Sequence, residues 1–107
     1  MNNTVFIIGR ITSDLEIKEV DNKKYAIMNV ATTRSFKNEE GIYETDFFNV
    51  TLYNVIAQNV IDYCHKGDLV GIKGRLQTNE IEKEDGAKEY KLEIIAEKVS
   101  FLTSNKN

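Results

Sequence analysis

The stretch TDFFNVTLY at residues 45–53 contains more aromatic side chains than one face of a strand can hide. Successive side chains of a strand point to opposite faces, so Phe48 shares an apolar face with Val50. Phe47 and Tyr53 then lie on the opposite, polar face, roughly 20 Å apart at the strand rise. Aromatic rings spaced along a polar groove can stack on nucleobases without reading their sequence. The alternative is that each ring packs under a loop or a partner subunit.

Catalytic and metal chemistry have little support in this sequence. The single histidine, His65, follows the single cysteine, Cys64, at the end of a predicted helix, where an imidazolium complements the helix dipole. No second histidine or cysteine completes a metal site. The segment GIKGR lacks the spacing of a phosphate-binding loop. We therefore expect no enzymatic activity, no catalytic residue, no bound metal and no cofactor.

The composition is that of one globular domain. The chain has 107 residues, of which 41% are hydrophobic and 29% charged, and this is enough for one modest core. It contains no apolar run long enough to predict a membrane span, and MNNTVFIIGR lacks the features of an export signal. A lone cysteine fits a reducing compartment. We therefore expect a cytoplasmic protein, associated with the nucleoid if it binds DNA.

The charge distribution is uneven along the chain. The formal net charge is −3, which by itself argues against a nucleic-acid partner. Residues 80–89 carry five acids against two lysines, so this one segment accounts for the whole excess. The remainder of the chain is balanced, and a local basic groove is compatible with it.

The residue pattern predicts strands for most of the chain and one helix. Residues 55–64 have apolar side chains at helical spacing, with Asn54 as the predicted N-cap and Gly67 as the stop signal. Alternating or β-branched segments predict five long strands. A further short alternating segment, residues 15–20, lies between the first and the second of them. The predicted long strands are residues 4–12, 25–36, 45–53, 69–81 and 90–102.

Two features favour a closed barrel over a flat sheet. Gly9 interrupts the first strand and predicts a bend or bulge. In the last strand the apolar phase runs through Tyr90 and Leu92 to Ile94, then slips by one residue to Ile95, as a β-bulge would cause. Barrels use such bulges to turn corners. We therefore predict an all-β, five-stranded barrel with the helix between the third and fourth strands.

Several segments together resemble the bacterial single-stranded DNA-binding protein family. They are VFIIGRITSDLEIK, VATTRSF, TDFFNVTLYNVIAQNVIDYCHKGDLVGIKGRLQT and EIIAEKVSFL, in the family's order and over nearly the whole chain. The resemblance implies an OB-fold with Greek-key topology that coats single-stranded DNA in replication, repair, recombination or DNA uptake. It also implies that Phe36, Phe47 and Tyr53 are stacking residues. Two of these are the residues that strand alternation places on the polar face.

The sequence departs from the family pattern in ways that remove charge and one aromatic ring. The family usually has an aromatic residue shortly after GRLQT, where this chain has Ile81. Lysine or arginine is common in the family at the positions of four uncharged residues here: Asn49, Val55, Gln77 and Asn79. The cations that we assign to the DNA site are those that remain, although any single surface cation is more often a solvated charge than a phosphate contact. They are Arg10, Arg34, Lys37, Lys66, Lys73 and Arg75.

The resemblance and the N-terminal strand together predict an oligomer. Residues 5–8 are apolar on both faces, which a lone barrel with one buried face does not explain. The family implies a homotetramer, in which this strand pairs with its copy and two dimers join through the sheet containing residues 69–73.

The C-terminal end also differs from that of longer family members, which finish in an acidic tip that recruits other proteins. Residues 1–103 are the predicted domain and residues 104–107 a predicted disordered tail, so we expect no recruitment of proteins through a tail. A naturally short paralogue, a mobile-element protein and a trimmed chain all fit this ending. The alternative function is a diverged, primosomal-type OB-fold accessory or an OB module that binds protein.

Overall fold

The computed structural model describes residues 1–103, and the predicted tail at 104–107 lies outside this range. The described chain forms six strands and one helix, which confirms the all-β prediction. The sixth strand is a three-residue addition early in the chain, so the helix falls between the fourth and fifth strands. The elements are β1 (Val5–Ile11), β2 (Lys18–Val20), β3 (Lys23–Lys37), β4 (Tyr43–Tyr53), α1 (Asn54–Tyr63), β5 (Leu69–Glu82) and β6 (Lys88–Thr103).

The five long strands close into a barrel. Their hydrogen-bonded order is β1-β5-β6-β4-β3, and β1 returns to pair with β3 through Arg10 opposite Ala31. All of these pairings are antiparallel except that between β4 and β6. At the closure, a Cβ atom on Gly9 would lie 2.6 Å from the carbonyl oxygen of Ala31. Gly9 therefore permits the close backbone approach that closes the barrel.

Alternate side chains of the strands fill one hydrophobic core. On β4, Val50 and Leu52 are fully buried, and Phe48 packs against the core while remaining partly exposed. The neighbouring side chain of Phe47 is 71% exposed, which confirms the predicted strand phase. The other buried members of the core are Ile7, Ile11, Ala26, Met28, Val30, Ala57, Val60, Cys64, Val70, Ile72 and Ala96.

The helix buries Ala57 and Val60 but does not begin as predicted. Tyr53 occupies the N-cap position and makes no side-chain capping hydrogen bond, so the assignment of Asn54 as N-cap is wrong. Asn54 has a left-handed backbone (φ 50°), which asparagine tolerates better than most residues. Its Oδ1 accepts a hydrogen bond from the backbone N–H of Lys24 at 3.4 Å. The start of the helix is thus tied to β3.

The predicted bulge in the last strand is present, a little later than the sequence pattern placed it. Lys98 lies opposite Lys73 and Ala96 opposite Gly74, which leaves Glu97 as the extra residue of β6. Beyond the barrel, the ends of β5 and β6 pair with each other as an arm. Tyr90 and Leu92 lie on this arm and are 67% and 66% exposed. The alternation in the sequence assigned these two side chains to the apolar face of the last strand, but they do not pack in the core.

Candidate nucleic-acid interface

The outer face of the β3–β4 hairpin presents aromatic and amide side chains to solvent. Directly opposed residues of antiparallel strands share a face, so each outward side chain of β4 has an outward partner on β3. Phe47 is 71% exposed and Tyr53 38% exposed at the two ends of this face. The opposed pairs are Ala31 with Phe47, Asn29 with Asn49, Ile27 with Thr51 and Tyr25 with Tyr53.

Tyr25 is a member of this face that sequence reasoning did not identify. It lies directly opposite Tyr53, so two tyrosines occupy neighbouring positions at one end of the face and line the same groove. The register of the hairpin would have shown this pairing. However, the register shifts between Thr33 and Lys37, where β3 has two more residues than β4. Counting back from the predicted loop therefore gives the wrong partners.

A groove of about 370 Å³ lies beside the two tyrosines. Burial is the main cause that raises the pKa of the Tyr53 hydroxyl, and the negative charge of Glu93 adds to it. Tyr53 is therefore neutral at physiological pH. A neutral phenol ring can stack on a flat base without repelling the phosphate backbone. The lining residues are Val20, Asp21, Lys23, Tyr25, Ile27, Thr51, Tyr53 and Glu93.

A chain of side-chain hydrogen bonds crosses the outer face from β4 to β5. Thr51 Oγ1 donates to Glu93 Oε2 at 2.9 Å, and Asn79 Nδ2 donates to Glu93 Oε1 at 2.8 Å. Gln77 Nε2 in turn donates to Asn79 Oδ1 at 3.1 Å. Two positions where the family commonly has cations are thus occupied here by amides of a network centred on a carboxylate. Sequence reasoning did not identify Glu93.

Arg75 continues this network at its far end. Arg75 lies opposite Ile95, and Ile95 lies beside Thr51 on β4, so all three side chains share the outer face. The guanidinium donates from Nη2 to Gln77 Oε1 at 3.3 Å, and its Nη1 lies 4.0 Å from Glu97 Oε2. The structure therefore places Arg75 close to the groove with one nearby acid.

Arg10 lies in the same cross-strand row as Phe47. Arg10 opposes Ala31, and Ala31 opposes Phe47, so the three side chains point outward from neighbouring strands. Two strand spacings separate the backbones of Arg10 and Phe47 by roughly 10 Å. Arg10 Nη1 donates to the carbonyl oxygen of Gly67 at 3.0 Å, in the turn that follows the helix. Lys66, which precedes Gly67, is exposed and lies beside Asp14 and Leu15.

Phe36 and Lys37 lie at the tip of the β3–β4 hairpin. Phe36 is 64% exposed within the irregular part of β3, so strand alternation does not determine its face. The Lys37 ammonium lies 5.6 Å from the centre of the Tyr43 ring, within the range of a cation–π contact. These two predicted site residues are neighbours of each other beyond Phe47.

Arg34 is not brought to the aromatic face. Its guanidinium forms ion pairs with Asp46 and Glu44. Asp46 precedes Phe47 on β4 and therefore points to the opposite side of the strand. The hydrogen bond with Asp46, together with the opposite charge, raises the pKa of Arg34 and lowers the pKa of Asp46. The geometry does not support the prediction that Arg34 contacts DNA.

Lys73 also lies apart from the aromatic face. It is opposed by Phe6 on β1 and by Lys98 on β6. Phe6 and Ile8 are 74% and 62% exposed, and they line an apolar groove of about 330 Å³ together with Lys73. The surplus apolar surface predicted for residues 5–8 is therefore real and points outward.

Within residues 1–103, no group of three histidine, cysteine, aspartate or glutamate side chains is arranged to hold a metal ion. The imidazole of His65 lies 4.0 Å from the carboxylate of Asp68, a local contact at the end of the helix. In the same part of the chain, no helix has the length and apolar character needed to cross a membrane.

A closed five-stranded barrel with a polar outer face and spaced aromatic rings defines an OB-fold of the single-strand-binding class. Residues 2–102 match the model of the single-strand binding protein family. The chain belongs to this family, which confirms the resemblance read from the sequence. Membership of a family of DNA-binding proteins also confirms that the chain is not an enzyme.

Similar proteins cover nearly the whole chain. It is 40% identical over 103 residues to single-stranded DNA-binding protein B of Bacillus subtilis, covering 95% of this chain and 91% of that protein. It is equally identical to the single-stranded DNA-binding protein of Bacillus cereus, of which it spans only 61%. The structure of a deletion mutant of the Thermus aquaticus single-stranded DNA-binding protein superposes with a TM-score of 0.79 at 26% identity. That match covers 97% of this chain and 52% of the other, and it confirms the OB-fold.

Proposed function

We propose that the protein binds single-stranded DNA by stacking bases on the outer face of the β3–β4 hairpin, without requiring a particular sequence. The observation that carries this proposal is the 71% exposure of Phe47 in the middle of β4, on a strand face whose adjacent residues, Thr45 and Asn49, are polar. A phenylalanine in this position contributes nothing to the core, whereas a base stacked on such a ring is worth about 1–3 kcal/mol. Tyr53, at the other end of the outer face, and Phe36, at the hairpin tip, would each stack on a further base.

The phosphate contacts belong to fewer cations than the sequence suggested. Arg10 lies in the same cross-strand row as Phe47, Lys66 precedes the Gly67 carbonyl that accepts from Arg10, and Arg75 lies beside the groove on β5. Lys37 lies at the hairpin tip beside Phe36. We assign the backbone contacts to these four residues, because Arg34 is already paired with two acids and Lys73 lies on another face.

The protein acts as a homo-oligomer in this proposal, and a tetramer is the state that we expect. The outward side chains of Phe6 and Ile8 form an apolar surface on β1 that a second copy would cover. Its cellular setting would be the cytoplasm, where it would coat strands exposed in replication, repair, recombination or DNA uptake.

Fluorescence anisotropy with labelled oligo-dT and duplex DNA of equal length tests the proposal. We expect tight binding of oligo-dT and much weaker binding of the duplex, because paired bases cannot reach the rings. Phe47→Ala should weaken oligo-dT binding, whereas Tyr63→Ala should not, although Tyr63 on α1 is also 67% exposed. Equal affinity for both DNA forms, or none for either, would favour the protein-binding alternative.

A further inference from the structure

Glu93 is an acidic side chain in the middle of a surface that we propose to bind a polyanion. It is half-buried and lines the groove beside Tyr25 and Tyr53. None of the ion pairs formed within residues 1–103 involves it. Because a carboxylate repels phosphate, Glu93 cannot contribute to binding through the DNA backbone. If Glu93 contacts DNA, it must do so through a base and not through a phosphate.

The carboxylate is held in place but not saturated. Thr51 and Asn79 each donate one hydrogen bond, one to each carboxylate oxygen. An ionised carboxylate has about four acceptor positions, so about two remain available in the groove. The groove has room for a base, and the rings of Tyr25 and Tyr53 supply the flat surfaces for it. A base in this groove would present an edge to a fixed acceptor.

We propose that Glu93 reads the base that occupies this groove, favouring cytosine or adenine over thymine. The exocyclic amino groups of cytosine and adenine donate hydrogen bonds, and glutamate is suited to accept from the cytosine amino group. Thymine has a carbonyl oxygen in the corresponding place, which the carboxylate repels. The inference rests on the proposed function and adds a preference for base type at one position of an otherwise tolerant surface.

Glu93 on β6 also accepts hydrogen bonds from β4 and β5. A substitution of Glu93 could therefore change DNA affinity by disturbing the contacts between these strands. A purely structural role would change the affinity for all oligonucleotides by the same factor. Base reading would change the ratio of affinities for two oligonucleotides of the same length. The ratio is therefore the quantity to measure.

The test uses anisotropy titrations of the full chain with oligo-dC and oligo-dT of equal length, at mildly alkaline pH where cytosine is unprotonated. Glu93→Gln keeps the shape of the side chain but adds a donor that thymine can accept. We expect the variant to shift the affinity ratio at least about threefold toward oligo-dT, below the full value of a bidentate base contact. The control is Glu97→Gln, which removes the same charge from the same strand and should leave the ratio unchanged.

A second arm leaves the protein unaltered. Oligo-dC with dimethylated N4 groups cannot donate to Glu93, so the wild-type protein should bind it at least about threefold more weakly than oligo-dC. Equal binding of the two, or an equal change for oligo-dC and oligo-dT in Glu93→Gln, would overturn the role of Glu93. Absence of any binding by the wild-type protein would overturn the proposed function itself, which is a distinguishable result.

Discussion

Arg34 and Asp46 face each other across the β3–β4 hairpin in two parallel hydrogen bonds. Arg34 Nε lies 2.9 Å from Asp46 Oδ2, and Arg34 Nη2 lies 2.9 Å from Asp46 Oδ1. This two-pronged geometry is the strongest arrangement available to an arginine and a carboxylate. A guanidinium engaged in this way has little capacity left for a phosphate. The pair therefore orders the hairpin that supports Phe47 instead of binding DNA.

The ion pair gives a prediction for pH. The pKa of Asp46 in the folded protein lies below its unfolded value, mainly because of the hydrogen bond from Arg34. A lowered folded pKa contributes stability above the unfolded pKa, and this contribution is lost as the pH falls through the folded pKa. We expect NMR titration of the Asp46 carboxyl to show this low pKa, and Arg34→Ala to raise it toward the ordinary aspartate value. An unchanged pKa in the variant would contradict the pairing.

Salt dependence tests which positions face the DNA backbone. Each phosphate contact on a single strand adds roughly −0.7 to the slope of log K against log salt. Asn49 is exposed between Phe47 and Tyr53, so Asn49→Arg should steepen the slope by about this amount and tighten binding of oligo-dT. Asn79→Arg should have a smaller effect, because the new guanidinium would pair with Glu93. Equal effects of the two substitutions would mean that Glu93 does not face position 79.

Barrel closure depends on Gly9. A Cβ atom there would lie 2.6 Å from Ala31 O and 2.9 Å from Thr32 Oγ1, so the strands must move apart to admit it. Gly9→Ala should lower the free energy of unfolding by roughly 1–3 kcal/mol, the usual cost of overpacking. Gly71→Ala is the matched control, since its Cβ would meet only the Leu102 side chain, at 3.6 Å from Cδ1 and 4.0 Å from Cγ, which is ordinary van der Waals contact. Thermal melts of the two variants should differ clearly, and similar melts would contradict the close approach of β1 and β3.

Local pattern was sufficient to predict much of the fold. The alternation of Phe48, Val50 and Leu52 sets the phase of β4 by itself, because a strand has only two faces. The helical spacing of residues 55–64 and the phase slip in the last strand are local in the same sense. The strand phase and the helix were confirmed, because the deciding residues lie within a few positions of one another. The bulge was predicted between Ile94 and Ile95 but lies at Glu97, because the residue opposite each position of β6 is set by β5 and not by the local pattern.

The rest of the site depends on contacts between distant segments. Glu93 reaches Thr51 only because β6 runs parallel to β4, a pairing over forty-two positions. Tyr25 meets Tyr53 only in a register that an irregularity in β3 conceals. Arg34 appears as a free cation in the sequence because its acidic partners are ten and twelve residues away. No local pattern reports these relationships.

The outward face of β1 predicts an association of copies. Ile8 is 62% exposed on an apolar groove, so Ile8→Glu should leave the fold intact but shift the protein toward the monomer mass of 12.3 kDa in light scattering. Ile42→Glu is the control, because Ile42 is 55% exposed at the distant hairpin tip. A wild-type protein that is monomeric at all concentrations would show that β1 is not an interface.

Phe47 and Phe48 give opposite predictions at adjacent positions. Phe48 packs against the core while partly exposed, so Phe48→Ala should lower the free energy of unfolding by roughly 2–3 kcal/mol, less than for a fully buried phenylalanine. Phe47→Ala should leave the melting temperature nearly unchanged, because its ring is 71% exposed. It should instead weaken oligo-dT binding by about 1–3 kcal/mol, the value of one stacked base.

Melting curves and oligo-dT titrations on both phenylalanine variants separate stability from binding. A shift of one residue in strand phase would exchange the two phenotypes, since it moves every side chain to the other face. Early melting of Phe47→Ala with poor binding by a stable Phe48→Ala would therefore show that the faces are reversed. Tyr53→Ala should behave like Phe47→Ala in binding, because Tyr53 lies at the other end of the same outer face. If Phe47→Ala and Tyr53→Ala both bind oligo-dT as the wild-type protein does, bases do not stack on this face, because these two rings define its ends.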